Sequence, residues 1–308
     1  MSFELLQDKI RRLKNPTVAG LDARVEYVPP FLLEAAIAEH GPTRRAAAEA
    51  VCAFDCGLID ALADVVPAVK PQSAYFEMLG WEGMEVLERV IRHAKEQGLY
   101  VIADVKRGDI GTTAAAYAEG WLGGTTVGGT FCPGFDADSV TLNAYMGSDA
   151  VKPFLKEADA RDKTVFVLVH TSNASSLELQ DMVCGDRLVY TVMGELVGRW
   201  GGTADLDRYG YNRVGAVMGA TFPGDIRRMR EQLPHTFFLI PGYGAQGGTA
   251  ADVRHAFDRY GHGAIVNSSR GIMCAWKKTG KDGRDYQDAA RTAAIAMRDD
   301  LAAYTTVI

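Results

Sequence analysis

The stretch Tyr100–Lys106 (YVIADVK) predicts one buried strand that ends in charged side chains. Asp104 and Lys106 lie two residues apart, so on a strand both point to the same face. If the apolar residues between them pack outward against helices, the two charges point to the inside of a sheet. A buried ion needs a partner, because its transfer from water to the protein interior costs on the order of several kcal/mol.

The same pattern recurs along the chain: a short β-branched run ends in polar or glycine residues, and a helical stretch follows. The predicted strands are Thr17–Asp22, Val65–Lys70, Tyr100–Lys106, Val140–Asn143, Thr164–His170, Val214–Thr221, Thr236–Pro241 and Ala264–Ser268. The predicted helices are Ser2–Asn15, Phe31–Ala63 with a candidate break at Gly41-Pro42, Trp81–Gln97, Thr112–Trp121, Asp149–Ala158, Leu177–Trp200, Gly224–Gln232, Ala250–Tyr260 and Tyr286–Tyr304.

Apolar strands that alternate with helices indicate a parallel sheet covered on both faces. Eight such units in about 250 residues predict an α/β fold of the (β/α)8 TIM-barrel type, with a doubly wound open sheet as the alternative. The barrel is favoured because polar residues follow nearly every strand, and no Pro/Ser-rich linker divides the chain. We expect residues 1–308 to form one domain, with glycine-rich loop insertions at Leu122–Asp138 and Gly201–Asn212.

Composition argues against several classes of partner. The 33 basic and 39 acidic residues give a net charge of −6 without a Lys/Arg block, which disfavours nucleic acid and anionic membranes. The longest apolar runs, such as Val165–Val169, are too short to span a bilayer. Five sparse cysteines and an N-terminus without a signal core favour a cytoplasmic protein with free thiols.

Four charges are predicted to meet at the end of strands two and three. Lys70 ends the strand before Tyr100–Lys106, and Asp109 lies in the loop that follows it. Together with Asp104 and Lys106 they form a Lys–Asp–Lys–Asp array with no net charge. A structural ion-pair network is the alternative, since ion pairs alone are weak evidence for function.

A second candidate site lies in the loops after strands seven and eight. The loop Ile240–Gly248 matches the Gly-x-Gly-x-x-Gly dinucleotide pattern, but it lies in the seventh unit, and no acidic residue ends the eighth strand. In barrels these two loops often bind phosphate. Arg270 follows the eighth strand and suits a bidentate phosphate contact. Ordinary turns with a surface arginine are the alternative.

Two smaller groups complete the predicted mouth of the barrel. Asp22 ends the first strand and could accept hydrogen bonds from sugar hydroxyls, and His170–Asn173 ends the fifth with donors and acceptors that suit the amide edge of a base. Each could instead serve as a helix cap or a turn. The six histidines have no spacing typical of metal ligands.

Taken together, these motifs resemble the orotidine 5′-phosphate decarboxylase family, from about Phe3 to Trp276. The residues that carry the resemblance are Asp22, Lys70, Asp104-x-Lys106-x-x-Asp109-Ile110, Thr171-Ser172-Asn173, Pro241-Gly242-Tyr243-Gly244-Ala245-Gln246 and Asn267-Ser268-Ser269-Arg270. The combination is far more specific than any one motif. The chain length and the last two loops look most like the longer-chain branch of the family.

The resemblance implies a homodimeric barrel with shared active sites that converts orotidine 5′-monophosphate to UMP and CO2, the last step of UMP biosynthesis, without cofactor or metal. It implies that Lys70, Asp104 and Lys106 act with Asp109 of the neighbouring subunit, and that Lys106 donates a proton to C6. The substrate-binding residues it implies are Asp22, Gln72, Ile110, Thr113, Thr171, Ser172, Pro241, Gly242, Gln246 and Arg270, of which Ile110 and Thr113 also reach across the dimer. Gln72 is a departure, because some relatives have Asn there.

The chemistry agrees with this implied assignment. Loss of CO2 leaves a carbanion at C6 with no adjacent carbonyl, and a protonated lysine there can stabilise the charge and then donate the proton. A related barrel acting on a sugar phosphate is the alternative enzyme, either a metal-dependent 3-keto-hexulose-phosphate synthase or a Schiff-base aldolase. Lys70 and Lys106 stand where the metal of the first would lie. A nucleotide-binding sensor is the non-enzymatic alternative.

Overall fold

The computed structural model describes residues 2–308 and contains a closed barrel of eight parallel strands. The strands are β1 (Thr17–Leu21), β2 (Ala68–Pro71), β3 (Tyr100–Arg107), β4 (Ser139–Leu142), β5 (Thr164–His170), β6 (Val214–Met218), β7 (Phe238–Ile240) and β8 (Ala264–Ser268). Each strand pairs with the next, and β8 pairs with β1, with Thr17 opposite Val266. The TIM barrel is confirmed, and the open doubly wound sheet is wrong.

Helices surround the barrel and connect its strands. The α-helices are α1 (Ser2–Leu13), α2 (Pro30–His40), α3 (Arg44–Leu62), α4 (Ser73–Glu77), α5 (Gly80–Glu96), α6 (Gly111–Leu122), α7 (Ser148–Arg161), α8 (Val189–Gly201), α9 (Pro223–Gln232), α10 (Ala250–Val253), α11 (Arg270–Met273) and α12 (Tyr286–Ala302). Short 3₁₀ helices span Val25–Tyr27, Ala174–Glu178, Arg254–Ala256 and Ala275–Lys278. None of the helices in residues 2–308 is long and apolar enough to cross a membrane.

Side chains of β3 alternate between two hydrophobic regions, as the sequence predicts. Val101 and Ala103 belong to the cluster between the sheet and the surrounding helices, whereas Tyr100 and Ile102 belong to the cluster inside the barrel. Asp104 continues the inward series, and it is 6% exposed. The alternation therefore brings one carboxylate to the inside of the barrel near its C-terminal end.

Helix α1 closes the N-terminal end of the barrel. Phe3, Leu6 and Ile10 are spaced three and four residues apart, so they form one apolar face, and all three are buried in the interior cluster. The ring of Phe3 stacks on Phe237 and contacts Phe166 at centroid distances of 4.9 and 5.0 Å. With this end filled, the C-terminal end remains for a binding site.

The predicted helix Leu177–Trp200 is wrong over its first half. Residues 174–188, which we call the strap, form a 3₁₀ turn and then a hairpin that pairs Val183–Cys184 with Arg187–Leu188. Gly185 has φ +70° in the two-residue hairpin turn, a conformation that glycine adopts without steric cost. Within the predicted range only α8, from Val189, is α-helical.

Other boundaries differ from the prediction more modestly. The candidate break in Phe31–Ala63 is confirmed, because Gly41 has φ +68° between α2 and α3. The predicted helix Ala250–Tyr260 ends at Val253, and a 3₁₀ turn follows whose last carbonyl, on Ala256, accepts a hydrogen bond from the half-buried Arg230.

The two predicted insertions differ in structure. The first contains an antiparallel hairpin of Gly124–Val127 with Thr130–Pro133, in which Gly128 and Gly129 both have positive φ. The second follows α8 and is irregular up to β6.

Candidate active site

A cavity of about 630 Å³ opens at the C-terminal end of the barrel. Its lining combines the ends of several strands with the loops that follow them. The predicted site residues that line it are Asp22, Lys70, Gln72, Asp104, Lys106, Thr171, Ser172, Pro241, Gly242, Gln246 and Arg270. The fold thus brings together residues that lie up to 248 positions apart in the chain, from Asp22 to Arg270.

Asp104 lies between two ammonium groups at the floor of the cavity. Its Oδ2 is 2.6 Å from Lys70 Nζ, and its Oδ1 is 2.5 Å from Lys106 Nζ. The side chain of Lys70 is 5% exposed, whereas that of Lys106 is 46% exposed and reaches toward the opening. One carboxylate therefore holds a buried cation and an accessible cation at the same time.

Electrostatics keep Asp104 and Lys70 ionised. Burial alone would raise the pKa of Asp104, but the charges of Lys70 and Lys106 outweigh it and hold that pKa well below its ordinary value. Burial would likewise lower the pKa of Lys70, but Asp104 and, more weakly, Asp22 outweigh it and raise that pKa. The floor thus carries two positive charges and one negative charge.

Thr141 on β4 completes this arrangement, and the sequence analysis missed it. Its hydroxyl donates to Asp104 Oδ1 at 2.9 Å and accepts from the backbone N–H groups of Val105 and Lys106 at 3.0 and 2.9 Å. The signal available was a hydroxyl between Val140 and Leu142 on the strand next to β3. Strand alternation places such a residue inside the barrel.

The backbone at Lys106 is not that of a regular strand. Its φ is +45°, which is uncommon outside glycine, and the register of β3 against β4 shifts between Ala103 and Arg107. The two N–H groups that bind Thr141 lie within this shift. The expectation that Lys106 lies beside Asp104 is met, but through a local kink held by Thr141 and not through simple alternation.

Buried oxygens at two other strand ends face the cavity. Asp22 Oδ1 and Asn267 Oδ1 are buried, and within residues 2–308 neither accepts a hydrogen bond. Such acceptors suit hydroxyl or N–H donors of a ligand. Gln72 lines the same side, but its Oε1 accepts from Ala74 N–H at 3.4 Å and so caps α4.

The loops after β5 and β7 meet above the floor. Ser172 Oγ donates to Gln246 Oε1 at 2.5 Å. Gly219 directly follows β6, and a Cβ there would lie 2.7 Å from Ser172 N. Only glycine at this position therefore lets the β5 loop come so close to the end of β6. Gly242 has φ +100°, which turns the β7 loop back toward Ser172.

The strap covers one side of the cavity and is tied to the end of β5. Gln180 Oε1 accepts from Thr171 N–H at 2.8 Å, and Gln180 Nε2 donates to Thr171 Oγ1 at 2.9 Å. Ser176 and Leu179 of the strap also line the cavity. The sequence analysis missed these strap residues, and it placed Leu179 and Gln180 on the predicted helix Leu177–Trp200.

Arg270 stands on the opposite rim. It is exposed, it begins α11 directly after β8, and it lines the cavity together with the Pro241–Gln246 loop. The arrangement of a guanidinium beside a glycine-rich loop after β7 is typical of phosphate sites in barrels.

Three predicted residues lie outside this cavity. Asp109 Oδ1 accepts from the N–H of Ile110 at 2.8 Å, and Asp109 is half-buried beyond the end of β3. Ile110 is 53% exposed, and Thr113, on α6, is exposed as well. Their assignment to the site of a neighbouring subunit stays a prediction.

His170 is part of a charged group that histidine spacing could not reveal. It ends β5 and is fully buried, and each of its ring nitrogens lies 3.4 Å from a carboxylate oxygen, of Asp181 or of Asp225. The two acids follow it by 11 and 55 positions in the chain and come from the strap and from α9. They face different ring nitrogens, so the two carboxylates lie on different sides of the ring.

Comparison with known proteins shows the family to which the chain belongs. The profile of the orotidine 5′-phosphate decarboxylase / HUMPS family matches residues 52–281. The chain belongs to this family. The family resemblance stated from the motifs is thereby confirmed.

Individual relatives match nearly the whole chain. A protein of Rhodopirellula baltica named orotidine 5′-phosphate decarboxylase is 42% identical over 300 residues, which cover 96% of this chain and 97% of that protein. One of the same name from Caldicellulosiruptor bescii is 37% identical over 272 residues, 88% of this chain and 89% of that protein. The structure of Leishmania donovani OMP decarboxylase superposes with a TM-score of 0.69 at 32% identity, covering 97% of this chain and 99% of that one.

Proposed function

We propose that this protein decarboxylates orotidine 5′-monophosphate to UMP and CO2 in pyrimidine biosynthesis, with Lys106 as the proton donor. The observation that carries the proposal is the Lys70–Asp104–Lys106 group at the floor of a cavity whose rim suits a phosphate. Membership of the orotidine 5′-phosphate decarboxylase / HUMPS family supports it.

In the proposed reaction the bond between C6 and the carboxylate carbon breaks, and its electron pair remains on C6. The ammonium of Lys106 stabilises this charge and then transfers a proton to C6, which forms the C6–H bond of UMP as CO2 leaves. Asp104 stays ionised and fixes the ammonium group. Because Lys106 is 46% exposed, solvent can return the proton after product release.

The remaining residues would bind the two ends of the nucleotide. Arg270 and Gln246 would hold the phosphate, the free Oδ1 of Asp22 would accept from a ribose hydroxyl, and Thr171 and Ser172 would contact the pyrimidine. Binding energy from the phosphate, far from C6, can then be used in the transition state. All of these contacts use groups of the chain itself. Both oxygens of Asp104 already bind ammonium groups, so the chemistry needs no metal at the floor.

We further propose that the whole chain is a single barrel domain that forms a homodimer in the cytoplasm, with Asp109, Ile110 and Thr113 reaching the neighbour's cavity. The exposed Ile110 side chain beside the mouth supports a contact with another subunit. The five free cysteines suit a reducing compartment.

The activity is tested by incubating the purified protein with orotidine 5′-monophosphate and following the loss of its ultraviolet absorbance and the release of CO2. We expect turnover that EDTA does not reduce. The Lys106→Ala variant should lose turnover and still bind UMP. A folded wild-type protein that leaves the substrate unchanged would overturn the proposal, and inhibition by EDTA would favour the metal-dependent sugar-phosphate enzyme.

The shared site is tested by mixing two inactive variants, Lys106→Ala and Asp109→Ala. In a mixed dimer one of the two sites has both residues, so we expect part of the activity to return. Subunit exchange is verified with chains carrying different affinity tags. No recovery in verified mixed dimers would show that Asp109 acts within its own subunit.

A further inference from the structure

His170 is fully buried and enclosed by aromatic rings, although it ends a strand at the mouth of the barrel. It is fully buried at the end of β5, directly before Thr171. Its ring is stacked between the rings of Tyr190 on α8 and Phe222 before α9, at centroid distances of 4.5 and 4.3 Å and interplanar angles of 8° and 24°. This stacking fixes the plane of the imidazole and therefore the directions of its two nitrogens.

Each nitrogen is directed to a different carboxylate. Nε2 lies 3.4 Å from Asp181 Oδ2 in the strap, and Nδ1 lies 3.4 Å from Asp225 Oδ2 in the first turn of α9. Within residues 2–308 neither nitrogen has a hydrogen-bond partner of standard geometry, and Asp181 Oδ2 is buried without one. The ring thus bridges the strap and the barrel wall.

The two charge states of the imidazole offer the two acids different numbers of N–H donors. A neutral imidazole has one N–H, so the lone pair of its other nitrogen would face a carboxylate, whereas an imidazolium offers an N–H to each. The other charged group here is Arg228, whose Nη1 lies 3.9 Å from Asp225 Oδ1, while the Tyr190 hydroxyl donates to that same oxygen at 2.7 Å. The charges of Arg228, Asp181 and Asp225 are balanced only when His170 is positive.

The position of Asp181 links this group to the proposed substrate site. Asp181 follows Gln180, and Gln180 binds Thr171, the residue after His170. His170 and Thr171, at the end of β5, thus contact Asp181 and Gln180 of the strap. Thr171 and Gln180 line the cavity.

We propose that His170 is a positioning residue that carries a positive charge and fastens the strap to β5 and α9, thereby setting Thr171 and Ser172 for the substrate. The kinetic part of this inference rests on the proposed decarboxylase function. The charge of the ring and the anchoring of the strap are independent of that function and can be measured without turnover.

The charge is measured by nitrogen-15 NMR of the full-length protein labelled at histidine, near neutral pH, with the His170→Gln variant used to assign the signals. We expect both ring nitrogens of His170 to carry protons. A signal of a neutral tautomer at His170 would overturn the proposal. A signal that changes on addition of EDTA would overturn it too, because it would identify a bound metal ion in place of the second proton.

The positioning role is measured by steady-state kinetics with orotidine 5′-monophosphate. For His170→Gln, which cannot carry the charge, we expect KM to rise about tenfold while kcat changes less than about threefold. His170→Arg retains a positive charge and should restore KM to within about threefold of wild type. An equal loss in both variants, or a loss confined to kcat, would contradict the role.

A matched control is His262→Gln. His262 is also buried, but it lies before β8 at the opposite end of the barrel, where its Nε2 contacts the Ile308 carbonyl. We expect its KM to stay at the wild-type value, which would separate the effect at His170 from a general loss of stability.

A second variant covers the case in which His170→Gln does not fold. Asp181→Asn removes only the charge that faces His170 Nε2, and we expect hydrogen exchange of the strap amides to accelerate relative to those of α8. Unchanged exchange in the strap would overturn the anchoring. If wild type lacks turnover, the decarboxylase proposal fails, whereas the NMR and exchange results still decide the inference about His170.

Discussion

Replacing Asp104 by Asn tests whether the floor of the cavity depends on one carboxylate. The substitution keeps the size of the side chain but removes the charge that lies 2.6 Å from Lys70 Nζ and 2.5 Å from Lys106 Nζ. Lys106 is 46% exposed, so water can solvate it after the change. Lys70 is 5% exposed and would be left as an unpaired buried cation.

The magnitude follows mainly from Lys70. Removing one partner of a buried pair costs about 3–5 kcal/mol of unfolding free energy, and we expect a loss in that range near neutral pH. Asp64→Asn is the matched control, because it makes the same chemical change in an exposed pair with Arg291, where the Asp64 side chain is 69% exposed. That loss should stay below about 1 kcal/mol.

The pH dependence gives a second signature with a defined sign. In the wild type the raised pKa of Lys70 contributes stability that is complete below the unfolded-state pKa of lysine, about 10.4, and is lost as pH rises through the folded-state pKa. Without Asp104, burial should lower the pKa of Lys70, so that the unfolded state binds more protons and the variant gains stability as pH rises. The difference between the two proteins should therefore shrink toward alkaline pH.

The assay is urea unfolding of both variants and the wild type at equal protein concentration, followed by fluorescence and circular dichroism, at neutral pH and again near the lysine pKa. Coincident curves from the two probes justify a free energy of unfolding. A loss for Asp104→Asn no larger than that for Asp64→Asn, or one that does not change with pH, would refute the reasoning.

Two further predictions concern Thr141 and Arg230. Thr141→Val keeps the shape of the side chain but leaves the Val105 and Lys106 N–H groups without their acceptor. We expect urea unfolding to show a loss of about 1–3 kcal/mol in the free energy of unfolding. In steady-state kinetics we expect kcat to fall by a larger factor than KM changes. Retained kcat would show that the kink at Lys106 does not need the hydroxyl. Arg230 is half-buried and donates to four backbone carbonyls, including Ala256 and Gly263, and desolvation lowers its pKa to about 10. Arg230→Met leaves these four carbonyls without their donor, so it should cost about 3–5 kcal/mol in the same unfolding assay, with Arg230→Lys intermediate. Equal losses in the two variants would argue against the fork of donors as the cause.

The barrel could be predicted from the sequence because its decisive contacts are encoded locally. A run such as Tyr100–Lys106 shows by its composition that both faces are buried, and its inward series from Tyr100 through Ile102 to Asp104 follows from alternation alone. The same reasoning located Lys70 and Asp104 in one site, since parallel strands end at the same side of a barrel.

The strap could not be predicted in this way. Its apolar residues repeat at intervals that suggest a helix, yet Leu177, Met182 and Val183 are 54%, 54% and 70% exposed. The polar residues Gln180 and Asp181 make its contacts with the barrel, through Thr171 and His170. A helical pattern assumes that the apolar side is the buried one, and here tertiary hydrogen bonds and ion pairs decide the path of the chain.

Lys106 shows that a correct prediction can rest on an incomplete cause. Alternation predicts its side chain beside Asp104, but its φ of +45° kinks the strand, and the kink held by Thr141 is what places the side chain there. Unfavourable backbone conformations persist where surrounding contacts fix them. The floor residues are fixed by paired strands, whereas Gln246 stands on a loop and Arg270 is the exposed first residue of the short helix α11. Changes around β3 and β4 should therefore act mainly on kcat, and changes in the loops or the strap mainly on KM, a division that the variants of Thr141 and His170 measure directly.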